Sequence, residues 1–204
     1  MMLKTRTKTL NLAKRTHIMG ILNITPDSFS DGGNYTSVDK AVAHATRMVE
    51  EGADIIDIGG ESTRPGHRPV SMEEEISRIV PVIRAIREKL DVPISVDTFK
   101  AGTAEAAIQA GADIINDIWG AKKDPEIATV AAKYQVPIIL MHNRLNEDYD
   151  DLITDMIQDL KESINIAKAA GIPDENIIID PGVGFAKSRE DDLLVMRELE
   201  KFKV

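Results

Sequence analysis

No cysteine occurs among the 204 residues, and the aromatic side chains number one Trp, three Tyr and four Phe. Without thiols there can be no disulfide and no thiolate metal site. No apolar run approaches the roughly 20 residues that span a bilayer. Residues 1–15 are basic and polar and have no apolar core of the kind a secretory leader needs. A cytoplasmic protein with no membrane partner is therefore expected. Cationic excess is missing as well: the net charge of −9 argues against non-specific nucleic-acid binding. An anionic substrate would have to be held against that field by a local group of Arg, Lys or backbone N–H. Nothing resembles a low-complexity linker, and 43% hydrophobic residues suffice for a full core. The expected organisation is a segment over 1–16 followed by one α/β domain over 17–204.

What the chain does have is a recurring unit. Six times a short apolar run ends on a carboxylate, amide or imidazole: at Asn23, Asp57, Asp97, Asn116 with Asp117, His142 and Asp180. Runs this short, rich in Ile and Val and bounded by Gly, Pro or Asp, predict buried parallel strands. The amphipathic stretches between them predict crossover helices over 37–51, 71–90, 101–110, 125–134, 150–170 and 190–201. Ser37 is placed to cap the first, and Ser71-Met72-Glu73-Glu74 forms a capping-box sequence for the second. Pro81 inside that second helix should kink it or reset its start. Right-handed crossovers between parallel strands leave two arrangements, a barrel or an open doubly wound sheet. In either, polar groups at the strand ends gather around one pocket.

Residues 23–33 (Asn-Ile-Thr-Pro-Asp-Ser-Phe-Ser-Asp-Gly-Gly) are long for a strand-to-helix connection and set Phe29 among hydroxyls, which suits a flap over a site. Asn23 either ligates a hard metal through its amide oxygen or hydrogen-bonds the loop. Residues 59–66 match neither the dinucleotide fingerprint nor the phosphate loop. Their glycines permit close approach, and Arg64 with Thr63 can meet an anion or an aromatic ring, or stay solvated. Asp57, within its strand end, is expected to hydrogen-bond its neighbours. Asp97 can cap the next helix, Asn116 can bridge loops and Asp180 before Pro181 can start a turn. Taken together, two acids and an amide suit a flat heterocycle with an amidine-like donor edge and a lactam acceptor, such as a pterin or guanine. His142 is expected to be structural.

Four motifs, 23–33, 57–66, 113–120 (Asp-Ile-Ile-Asn-Asp-Ile-Trp-Gly) and 180–187 (Asp-Pro-Gly-Val-Gly-Phe-Ala-Lys), occur in an order that resembles bacterial dihydropteroate synthase from about residue 17 onward. The resemblance implies a TIM (β/α)8-type barrel. It also implies a condensation of 6-hydroxymethyl-7,8-dihydropterin diphosphate with 4-aminobenzoate, with Mg²⁺ as cofactor and sulfonamides as inhibitors. Carried over by motif, Asp97, Asn116 and Asp180 hold the pterin edges, with Ile118, Met141 and Phe185 as apolar walls. Asn23 helps bind Mg²⁺ and pyrophosphate. Phe29 and Asp31, with Thr63, Arg64 and Pro65, close over the diphosphate and form the aminobenzoate pocket, Asp31 and Arg64 in catalytic roles. The implied reaction is dissociative and needs no nucleophilic side chain.

The departure from that pattern is at the end. Six strand-helix units are expected where a closed barrel has eight. The family's Ser-Arg-Lys-Ser and Arg-x-His segments occur nowhere in the 204 residues. On this reading the chain has an incomplete barrel with an exposed edge at its sixth strand, and negligible synthase activity by itself. The homodimer implied by the family resemblance involves elements beyond the six units. A non-catalytic pterin-binding module is the alternative. A methyltetrahydrofolate methyltransferase shares barrel and pocket but leaves the Thr-Pro-Asp-Ser-Phe-Ser loop unexplained.

Overall fold

A computed structural model describes residues 2–24, 34–61 and 69–204, without the side chains of 34–36. An antiparallel hairpin comes first, β1 (Met2–Lys4) against β2 (Thr9–Asn11). Then follow β3 (Met19–Asn23), α1 (Asn34–Glu50), β4 (Ile55–Gly59), α2 (Met72–Lys89), β5 (Ile94–Asp97) and α3 (Ala101–Ala110). The remaining units are β6 (Ile114–Asp117), α4 (Glu126–Tyr134), β7 (Ile138–Met141), α5 (Leu152–Ala169), β8 (Ile177–Asp180) and α6 (Arg189–Arg197). Strands β3 to β8 form one parallel six-stranded sheet in chain order. Among the described residues β3 and β8 do not pair, so the sheet is an unclosed barrel wall. Its edges are correspondingly open: Ile21 on β3 is 64% exposed, and β8 is only half-buried along its length.

The inner strands β4 to β7 bury both faces, which is why their sequences do not alternate between apolar and polar. Leu22, Ile56, Ile58, Ile94, Val96, Ile115, Ile138 and Leu140 point outward and pack under the helices in the main core. The intervening positions point inward. At the floor of this inner face Ile55, Ile114 and Ile139 meet Leu3 and Leu10, with Met19 and Ile178 alongside. The hairpin thus plugs the amino-terminal end of the strands. It is tied there by Arg6, which donates to the Ile108 carbonyl at 2.7 Å.

Helix boundaries follow local chemistry, with two departures from expectation. Helix α1 begins at Asn34, so Ser37 lies in its first turn and is not the cap. Ser71 does cap α2, accepting from the Glu74 N–H at 3.2 Å, but the Glu74 carboxylate turns to Arg78 and the box is half-formed. Pro81 neither ends nor restarts α2. It sits on the exposed face, where water can take the Ser77 carbonyl that loses its helical donor. A full capping box that the sequence reading missed starts α6, between Ser188 and Asp191.

Arg87 fastens the end of α2 beneath the sheet. It donates to the carbonyls of Val92 at 2.9 Å and Gly111 at 2.8 Å and pairs with the fully buried Asp113 carboxylate. Asp113 in turn accepts the Ile94 N–H at 2.9 Å. Arg87→Lys keeps the charge but loses the planar fork, so it is expected to cost about 1–2 kcal/mol. Urea unfolding should show a lower midpoint at unchanged slope; an unshifted midpoint would mean that the fork contributes nothing.

Candidate active site

Register brings the strand ends into line. Asn23 pairs with Gly59, Gly59 with Asp97, and Asp97 with Asn116, so these four form one row across β3 to β6. The row continues through Ile139 on β7 to Ile178 on β8. Met141 and Asp180, themselves partners, lie two residues further along, and a two-residue step keeps the same face. Asn23, Asp97, Asn116, Met141 and Asp180 therefore share the inner face at the carboxyl ends of the strands.

Gly59 is needed at the centre of the row. A Cβ there would come within 3.3 Å of both Asn23 Oδ1 and Asp97 Oδ2, so its absence lets the two oxygens flank one space. Asp97 accepts no hydrogen bond from any described residue. It does not cap α3, whose cap residue is Lys100 and whose Ala101 N–H is taken by Asp124 at 2.8 Å. Burial raises the Asp97 pKa well above the usual carboxylate range, with Asp57, Glu75, Asp117 and Glu61 adding repulsion. An unpartnered inward carboxylate with a raised pKa marks a ligand site.

The neighbours of Asp97 are partly committed. One Asp57 oxygen accepts from Asn116 Nδ2 at 3.2 Å, as expected of Asp57, and burial raises its pKa too. Asn116 keeps its Oδ1 and second N–H. Burial pushes Asp117 up to about 6 although it accepts the N–H groups of Trp119 at 2.8 Å and Ala121 at 2.7 Å; its work is to shape the turn after β6. Asp180 Oδ1 accepts from the Gly182 N–H at 2.8 Å, leaving Oδ2 available.

A cavity of 320 Å³ opens beside this row, within the range of ligand sites, about 300–1,000 Å³. Asp97, Thr98, Phe99, Ile118, Trp119 and Asn143 help line it. Asn116, Met141 and Asp180 are not in its lining and join the site through register alone, and Phe185, in the loop after β8, is neither in the lining nor placed by register. The larger cavity, 530 Å³, lies at the opposite ends of the strands between hairpin and α4, lined among others by Lys4, Arg6 and Gln135. No row of unpartnered carboxylates faces it.

Lys100 was not foreseen. Its ammonium pairs with Glu61 after β4 and with the buried Glu75 at 2.7 Å, and donates to the Val70 carbonyl at 2.9 Å. Burial opposes its charge, but the two carboxylates outweigh burial and leave its pKa raised. The Val-Asp-Thr-Phe-Lys run gave no signal beyond one Lys near a helix start. Phe29, Asp31, Thr63, Arg64 and Pro65 lie outside the described residues.

Comparison with known proteins agrees with this geometry. A family model described as pterin binding enzyme matches residues 19–204. The dihydropteroate synthase of Clostridium beijerinckii is 60% identical over 201 residues, a stretch covering 98% of this chain and 75% of that protein. A Xanthomonas albilineans dihydropteroate synthase solved with 4-aminobenzoic acid superposes with a TM-score of 0.93 at 44% identity, covering 98% of this chain and 73% of that one. The Yersinia pestis enzyme in a sulfonamide drug complex gives 0.90 at 43% identity, covering 98% and 75%. By sequence, by fold and by the acids at its strand ends, the chain belongs to the dihydropteroate synthases of the pterin-binding enzyme family.

Proposed function

We propose that these six units form the pterin-binding part of an enzyme of folate biosynthesis, one that joins 6-hydroxymethyl-7,8-dihydropterin diphosphate to 4-aminobenzoate to give 7,8-dihydropteroate and pyrophosphate, with negligible turnover by the 204 residues alone. One observation carries this reading: the inner-face row in which Asp97 and Asp180 retain free acceptor oxygens on either side of Asn116. The carboxylates accept the N–H groups of the pterin's amidine-like edge, and Asn116 offers its remaining N–H and Oδ1. Ile118, Met141 and Phe185 flank the ring. The methylene C–O bond breaks with its electron pair leaving on pyrophosphate. The cation that results is spread over a ring held by two carboxylates, which oppose its charge. The aniline lone pair then forms the C–N bond and the nitrogen releases a proton.

The donor set suits Mg²⁺. Asn23 presents an exposed amide oxygen beside the gap at Gly59, and no cluster of three or more His or acidic ligands exists among the described residues. An ion held by one or two protein oxygens, substrate phosphates and water fits that arrangement. When bound it would neutralise charge on the diphosphate. Phe29 and Asp31, with Thr63, Arg64 and Pro65, are proposed to close over diphosphate and aminobenzoate, and sulfonamides to compete for the latter. Among the described residues no helix is long and apolar enough to cross a membrane; a cytoplasmic homodimer remains part of the proposal.

Titration calorimetry with a dihydropterin analogue tests the reading without requiring turnover. Saturable binding is expected, weakened about tenfold in Asp180→Asn, which loses one charged acceptor while its other oxygen was already held by Gly182. A folded chain that takes up no pterin would overturn it.

A further inference from the structure

Lys187 closes the segment that begins at Asp180, and its side chain is 7% exposed. The ammonium has three N–H bonds and three partners: the Gly182 carbonyl at 2.9 Å, the Phe185 carbonyl at 2.8 Å and His142 Nδ1 at 3.1 Å. None is left for a substrate anion. To accept from an ammonium, His142 must keep its Nδ1 lone pair, which puts its proton on Nε2, 3.0 Å from Asp159 Oδ2. Asp159 Oδ2 is also held by Arg144 Nε at 2.6 Å. Burial first, and then the Lys187 charge, push the His142 pKa down to about 4, so the ring stays neutral across the physiological range.

Gly182 is gripped on both sides of its Cα. Its carbonyl accepts from Lys187 and its N–H donates to Asp180 Oδ1 at 2.8 Å. The same ammonium holds the Phe185 carbonyl, and His142 adjoins Met141 in sequence. We propose that Lys187 is a positioning residue of the pterin pocket, fixing the Asp180 carboxylate through the two peptide groups that flank the Gly182 Cα and Phe185 through its own carbonyl. The proposal rests on the pterin reading of the site and adds a residue that touches no ligand.

The test is a double-mutant cycle of Lys187→Met and Asp180→Asn, read by pterin-analogue calorimetry and by hydrogen exchange at the Gly182 amide. Lys187→Met is expected to weaken binding about tenfold and to speed Gly182 exchange. The loss in the double variant should be smaller than the product of the two single losses, the remainder being the part carried through the Phe185 carbonyl. Additive losses, or binding unchanged in Lys187→Met, would overturn the proposal, because a general loss of stability does not couple to one carboxylate. If the folded wild type binds no pterin, it is the reading of the pocket that fails. Gly182 exchange then decides for Lys187 separately, and protection retained in Lys187→Met would refute the clamp. Should Lys187→Met fail to fold, Lys187→Gln keeps two donors without the charge and allows the same comparison.

Discussion

Asp97→Asn is expected to yield a more stable chain that binds a pterin analogue about 100-fold or more weakly. The loss follows from its uncommitted oxygens: both can accept from the ligand, each charged hydrogen bond is worth about 1.5–3 kcal/mol, and the amide replaces one acceptor with a donor facing donors. The gain follows from burial, which together with Asp57, Glu75, Asp117 and Glu61 disfavours the charged form. Because the folded pKa lies above the unfolded one, the native state keeps a proton that the unfolded chain releases. Stability is therefore lost as pH rises above the ordinary carboxylate range toward the folded value. The advantage of Asp97→Asn should be absent near pH 3 and should grow as pH rises through and above the ordinary carboxylate range, each kcal/mol appearing as about 2–4 °C in Tm. A variant less stable than wild type at pH 8 would show that Asp97 is structurally satisfied and not held ready for a ligand.

Gly182→Ala is expected to destabilise by about 2–5 kcal/mol, since two costs coincide. The backbone has φ +66°, and an added Cβ would lie 2.1 Å from the His142 carbonyl oxygen and 3.1 Å from Met141 Cγ. Relief would require β7 and the loop after β8 to separate, drawing Asp180 away from its neighbours. Gly184→Ala is the internal control: φ is +85° there, but nothing lies within 4 Å of the added carbon. It should cost only about 1–2 kcal/mol. Equal costs by urea denaturation would mean that the contact with His142 is readily relieved.

Much of this could be read in the sequence because strand ends are chemically conspicuous. Asn23, Asp97, Asn116 and Asp180 each terminate an apolar run, and parallel pairing in chain order aligned them on one face. The hairpin was not legible. Leu3 follows two Met and Leu10 lies between Thr9 and Asn11, and three-residue strands carry too little pattern to distinguish from coil. Asn34 as the start of α1 was hidden because Ser37 is the better cap by type, while the site of a cap is set by the chain entering the helix. Lys187 and Lys100 gave no signal, since a lysine that grips backbone carbonyls and carboxylates looks like any surface lysine until burial is known. The pairing of Asn116 with Asp57 joins residues 59 positions apart, a distance that no local pattern spans.

The stopper at the floor of the sheet also constrains the order of assembly. Leu3 and Leu10 cluster with Ile114 and Ile139, residues made more than a hundred positions later. During synthesis the hairpin cannot complete this cluster until β7 has emerged, so its leucines stay partly uncovered while the wall is built beside them. Contacts of such long sequence separation form late and slowly. The hairpin residues should then be among the last to gain protection from exchange in a refolding experiment.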